Sequence, residues 1–159
     1  MDSSDVSVAR VTHGPKDYQL AAQSSRDPVL LARLAELDYP FVKLAVAENA
    51  ATAPATLAAL IPAGQATWND RALLLRVVKN PSADADVLAA AAERVAGALA
   101  RGERPYSVAI TLAEDTRVAA TTVEDFASLS GSSSRLRRGL RAAIAARLAE
   151  ADSAPIRRC

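Results

Sequence analysis

The sequence predicts an all-α chain: a short α-solenoid of about four helix-pair repeats plus a C-terminal capping helix. Three observations carry this expectation. Of 159 residues, 37 are alanine and 18 are leucine, whereas aromatics make up only 4%. Alanine and leucine favour helix, and strands draw on β-branched and aromatic side chains. Apolar residues also recur three and four positions apart in short runs, each closed by Asn, Asp, Ser, Thr or Pro. Finally, the runs repeat in register along the chain. A 50% hydrophobic share excludes wholesale disorder.

Residues 1–15, with Gly14, Pro15 and scattered small polar residues, read as a flexible leader. Asp27-Pro28 opens a helix, since Asp accepts from free N–H groups and Pro fits the first turn. Leu30, Leu31, Leu34 and Leu37 line that helix. Val42, Leu44, Val46 and Ala47 mark the next one, which Asn49 terminates. Thr52-Ala53-Pro54 opens a segment with Leu57 and Leu60 inward. Trp68-Asn69-Asp70 reads as a turn with Asp70 as cap, ahead of Leu73, Leu74, Val77 and Val78. Asn80-Pro81 stops that helix, because Pro disfavours helical geometry in the residue before it.

Ser82 or Asp84 caps a longer helix whose stripe is Leu88, Ala91, Val95 and Leu99, with Gly102 just past its end. Tyr106 to Ala113 forms another. Thr121 and Glu124 have capping-box spacing ahead of Phe126 and Leu129. After a serine-rich linker, 130–134, a last helix places Leu136, Leu140, Ile144 and Leu148 four apart. Helices of two or three turns are unstable alone and must be held by neighbours.

The runs share one template, Val42 to Asn49 followed by Thr52 to Leu60. Shifted by 31 it falls on Leu73, Val77, Val78, Asn80, Leu88 and Ala91. Shifted by 66 it falls on Val108, Leu112, Ala113, Asp115, Val123 and Phe126. Shifted by −26 it pairs Leu20, Ala21, Gln23, Pro28, Leu31 and Leu34 with Val46, Ala47, Asn49, Pro54, Leu57 and Leu60. The expected organisation is therefore a leader over 1–15, a helical repeat array over 16–129, the linker, and a basic capping helix and tail over 135–159.

The run Ala47-Glu48-Asn49, Thr52-Ala53-Pro54, Leu57 and Leu60, with Val78-Lys79-Asn80-Pro81-Ser82, resembles the variant leucine-rich repeat family. The resemblance implies a right-handed superhelix of short helices used as a recognition scaffold. Spacings of 26, 31 and 35 exceed that family's unit of about 24 residues, which moves the picture towards HEAT-like helix pairs. Some family members carry an N-terminal cysteine cluster for an iron–sulfur centre, and this chain has no such cysteines.

Signals for chemistry are sparse. One His and one Cys exclude a zinc or iron–sulfur site built from this chain alone. His13 lies in the leader, where a mobile segment does not hold the geometry of a general base. Cys159 follows Arg157 and Arg158, neighbours that favour thiolate. It is not four from the end, so it makes no prenylation box. The pairs Asp84/Asp86, Glu114/Asp115 and Glu124/Asp125 sit near predicted helix ends, where acids cap. No phosphate-loop, dinucleotide, HExxH or GxSxG pattern occurs. The expectation is a non-enzymatic protein with no cofactor and no metal.

Partners are the remaining question. Residues 1–131 carry 12 basic and 16 acidic side chains, whereas 132–159 carry seven arginines against Glu150 and Asp152. Trp68 and Asn69 lie where the repeat spacing lengthens, and an aromatic there anchors a partner or covers a seam between repeats. Arg135, Arg137, Arg138 and Arg141 point away from the apolar stripe of the last helix. The first reading is an adaptor or scaffold that binds another protein or peptide through Trp68, Asn69 and these arginines. The alternative is a nucleic-acid-associated protein gripping phosphates through the same arginines with Arg157 and Arg158. It requires Lys43, Arg76 and Lys79 to continue a basic stripe. A third is a structural subunit of a larger assembly. No membrane span and no signal peptide are expected, and a cytoplasmic location follows.

Overall fold

The computed structural model describes residues 14–63 and 67–153, the side chains of 151–153 excepted. Among the described residues it is helical throughout, with no strand. The helices are α1 (Pro15–Ser24), α2 (Pro28–Ala35), α3 (Pro40–Glu48), α4 (Pro54–Ala59), α5 (Trp68–Lys79), α6 (Ala85–Ala100), α7 (Tyr106–Glu114), α8 (Ala120–Ser128) and α9 (Ser134–Ser153). The chain divides into two compact units, residues 1–90 and 91–159, and the division falls within α6.

In the first unit α1 packs on α3 and α3 on α5, while α2 packs on α3 and α4 on α2. Leu31, Leu34, Val42, Val46, Leu57, Val77 and Val78 form its buried interior. Helix starts follow the expected chemistry. Asp27 accepts from the Val29 N–H at 2.9 Å, and Pro occupies the first turn of α1 to α4.

The helix ends are where the repeats touch. Asn49 follows α3, and its Nδ2 donates to the carbonyls of Ala22 and Ser25, both at 2.8 Å. Asn80 follows α5, and its Nδ2 donates to Ala47 at 2.8 Å and Asn49 at 3.0 Å. Each uses its Oδ1 on a local turn, from Ala51 N–H and Ser82 N–H at 2.8 Å. Ser25 and Asp115 close the same turn with Asp27 N–H at 3.0 Å and Arg117 N–H at 2.9 Å. One local turn therefore recurs at Ser25, Asn49, Asn80 and Asp115.

This corrects the first register. The turn places Ser25, not Gln23, opposite Asn49, a shift of 24, whereas Pro28, Leu31 and Leu34 keep the shift of 26. The first turn is two residues shorter than the others. Buried Ala22 accordingly occupies the place of Val46, and Leu20, paired with Val46 from sequence, is 61% exposed.

In the second unit α9 packs on α7 and α8, which pack on each other. Leu99, Val108, Leu112, Phe126, Leu136 and Leu140 are fully buried there. Gly102, at φ 79, ends α6, and its N–H donates to Leu99 O at 3.0 Å. Gly131 N–H donates to the same carbonyl at 3.0 Å. A Cβ on Gly131 would collide with the Leu99 backbone. The Tyr106 hydroxyl donates to Gly131 O at 3.1 Å, and buried Ser132 donates to Phe126 O. The stretch that composition marks as a linker is thus tied at several points.

Two local expectations fail. Thr121 and Glu124 form no capping box, because α8 begins at Ala120 and places Thr121 inside the helix, with Ala119 at the cap. The stripe Leu136, Leu140, Ile144, Leu148 does not stay inward. Each four-residue step advances about 40° past a full turn, so Leu148 lies about 120° from Leu136. Leu148 is 64% exposed, and Ala143 and the half-buried Arg147 take the inner positions.

Candidate functional site

Trp68 is the first residue of α5 rather than part of a turn. Thr67 caps the helix: its Oγ1 accepts from Asp70 N–H at 3.2 Å, and Asp70 Oδ2 accepts from Thr67 N–H at 2.8 Å. Asp70 therefore closes a capping box from the third helical position and is not itself the cap. The box fixes the backbone on which the indole stands. Trp68 is 78% exposed and covers no seam. Asn69 beside it is also exposed.

A cleft of about 510 Å³ opens next to this helix start. Thr67, Asn69 and Asp70 line one side, and Asp38, Pro40 and Lys43 line another. A second cleft of about 390 Å³, lined by Ala32, Glu36, Ala55 and Thr56, shares Ala35, Lys43, Ala59 and Leu60 with the first. Lys43 Nζ lies 3.8 Å from Asp38 Oδ1. The walls mix apolar side chains, among them Pro40, Leu60 and Leu73, with Asp38, Lys43, Asn69 and Asp70, and the cleft is an open groove rather than a closed pocket.

Sequence reasoning missed an aromatic run at the starts of α1 and α3. Tyr18 stacks on Tyr39 with centroids 6.2 Å apart, and Tyr39 meets Phe41 at 5.6 Å. Tyr39 and Phe41 are neighbours two apart in the chain, and the packing of α1 on α3 adds Tyr18 to them.

Basic residues divide by environment. Arg76 Nε donates to Glu48 Oε1 at 2.5 Å, so Arg76 and Lys43 both have carboxylate neighbours. Lys79 is exposed beside Arg76 and Glu48. Arg135, Arg137, Arg138 and Arg141 are exposed on α9, and among the described residues none of the four pairs with a carboxylate. Arg137 Nε donates to Ala127 O at 3.1 Å and Arg141 Nε to Arg137 O at 3.3 Å. Arg147, which the sequence did not single out, donates to the carbonyls of Ala113 at 3.2 Å, Thr116 at 3.4 Å and Val118 at 2.7 Å. It covers the open end of α7, the task that Asn49 and Asn80 perform for α1 and α3.

Of the acidic pairs, Asp84 and Asp115 serve the backbone. Asp84 accepts from Val87 N–H at 2.9 Å at the start of α6. Asp115 accepts from Arg117 Nε at 3.0 Å and Nη2 at 2.6 Å, and these bonds hold its carboxyl below the ordinary carboxylate range. Glu124 and Asp125 are exposed on α8. Among the described residues no three His, Cys, Asp or Glu side chains converge as a metal site would require, and no helix is long and apolar enough to cross a membrane. His13, Arg157, Arg158 and Cys159 lie outside the described residues. No protein-family model, no curated protein and no solved structure matches the chain.

Proposed function

We propose that the chain is a non-enzymatic interaction module, a short right-handed array of helix pairs of the variant leucine-rich repeat or HEAT-like kind, that recognises a protein or peptide. The observation that carries this reading is Trp68, 78% exposed on a helix start fixed by the Thr67–Asp70 capping box, between Thr67 and Asn69, which both line the 510 Å³ cleft. An indole left in water on a fixed helix start supplies a large apolar anchor whose backbone is already ordered. The turns at Asn49 and Asn80 give it a rigid base.

The basic residues favour protein over nucleic acid. A phosphate-tracking face needs cations free along its length, whereas Arg76 and Lys43 lie against Glu48 and Asp38.

Affinity capture of the tagged chain from its native lysate, with and without nuclease, at low and high salt, tests the reading. Proteins retained through nuclease and salt by the parent, and lost by Trp68→Ala, are the expected result. Capture that disappears with nuclease would overturn it. Trp68 is the sole tryptophan, so a captured partner titrated into the pure chain reports directly through its emission.

A further inference from the structure

We infer that the outer face of α9 is a second docking surface, and that its occupant is an acidic, amphipathic helix of a partner protein. Viewed down the axis at about 100° per residue, Leu136, Leu140, Ala143 and Arg147 fall on the inner arc. Arg135, Arg137, Arg138 and Arg141 fill the opposite arc in the first half of the helix, all exposed. From Ala142 to Leu148 that outer arc carries no charge. Ala142, Ala145 and Leu148 take over, also exposed, with Leu148 at 64%.

Two features separate this face from a merely solvated end. Arg135 and Arg137 occupy the first turn of α9, where the helix dipole is positive and acids are favoured, and that turn holds no acid. Among the described residues no carboxylate pairs with them. A cationic cluster placed against the dipole is locally unfavourable, and an anionic partner relieves it. The apolar half selects among anions. Alanines at 142 and 145 allow a second helix to approach closely, with Leu148 as the projecting side chain. Phosphate backbones use cations and leave such a surface unmatched, whereas a helix with an acidic half and an apolar half covers both. The surface lies in the second unit and does not depend on Trp68.

The probe is a synthetic amphipathic helix of about 20 residues, with glutamates on one face of its N-terminal half and leucines and alanines on that face of its C-terminal half. Binding to the full chain is read by anisotropy of a labelled peptide. We expect saturable binding that weakens by about tenfold or more in Arg135→Glu/Arg138→Glu/Arg141→Glu and in Leu148→Lys. The milder Arg138→Gln/Arg141→Gln weakens it in the same direction and is the variant to use should the triple reversal not fold. Trp68→Ala binds the probe as the parent does, which keeps this test separate from that of the cleft. No binding overturns the inference. Equal binding of a peptide with glutamate in place of its leucines, or of duplex DNA, also overturns it, because the face then reads charge alone.

Discussion

Asn80 donates its side-chain amide to the backbone carbonyl of Asn49, its own counterpart one repeat earlier, at 3.0 Å. Asn80 is 2% exposed, and the same amide also reaches Ala47 O. The bonds satisfy carbonyls that α3 leaves open at its end. Asn80→Ala removes the donor while leaving these acceptors covered, at a cost of about 2 kcal/mol. Asn80→Asp costs more, since a carboxylate oxygen then faces carbonyl oxygens. Denaturant midpoints should rank parent above Asn80→Ala above Asn80→Asp; an aspartate variant as stable as the alanine one contradicts this geometry.

Arg147 and Arg138 share α9 but not a role. Arg147→Ala uncovers the carbonyls at the end of α7 and is expected to cost about 1–3 kcal/mol. Arg138→Ala stays within about 0.5 kcal/mol of the parent, as exposed positions do. Thermal melts of both variants decide the point, and similar losses would remove Arg147 from its capping role.

The Asp115–Arg117 pair makes stability depend on pH. Hydrogen bonding from Arg117 lowers the folded-state pKa of Asp115 and raises that of Arg117. A lowered carboxylate pKa contributes stability above the unfolded value of about 4 and loses it as pH falls through the folded value. The parent should therefore melt above Asp115→Asn at neutral pH, with the gap closing below about pH 4. A gap that is constant down to acid pH would mean the pair contributes nothing.

Gly131 and Gly139 make a matched comparison. A methyl on Gly131 meets the Leu99 backbone, which has no room to yield, while one on Gly139 meets the end of the Ile110 side chain at 2.9 Å. Gly131→Ala is expected to lose about 1–3 kcal/mol. Gly139→Ala loses less, and helix propensity offsets part of its cost. Equal midpoints for the two variants would show that the 130–133 segment shifts freely.

Trp68→Ala should leave the melting temperature nearly unchanged, because the indole buries little, while abolishing partner binding. Thr67→Ala removes the capping box and is expected to cost about 1 kcal/mol, with a smaller loss of binding from a looser helix start. A large drop in stability for Trp68→Ala would reassign the indole to packing.

Helix starts, helix ends and most of the interior were legible because they rest on local rules. Asp27, Asn49, Asn80 and Asp84 sit at the ends their chemistry implies, and Leu57 is fully buried. Trp68 was misplaced into a turn although Thr67 and Asp70 already carry capping-box spacing. Leu148 was misplaced because four-residue spacing drifts around a helix, whereas alternating steps of four and three hold one face. The service of Arg147 left no local trace, since its acceptors lie 29 to 34 residues away.

The recurring turn meters the chain on one side only. After the shorter first turn at Ser25, the count from Asn49 to Pro54, from Asn80 to Ala85 and from Asp115 to Ala120 is the same, so residues leaving these three turns are rationed. Residues arriving at the next helix are not: Ala35 to Pro40 is a short step and Ala59 to Trp68 a longer one. A guest peptide spliced just before Thr67 thus leaves every inter-repeat amide at its station, whereas the same guest after Asn80 throws the following helix out of step.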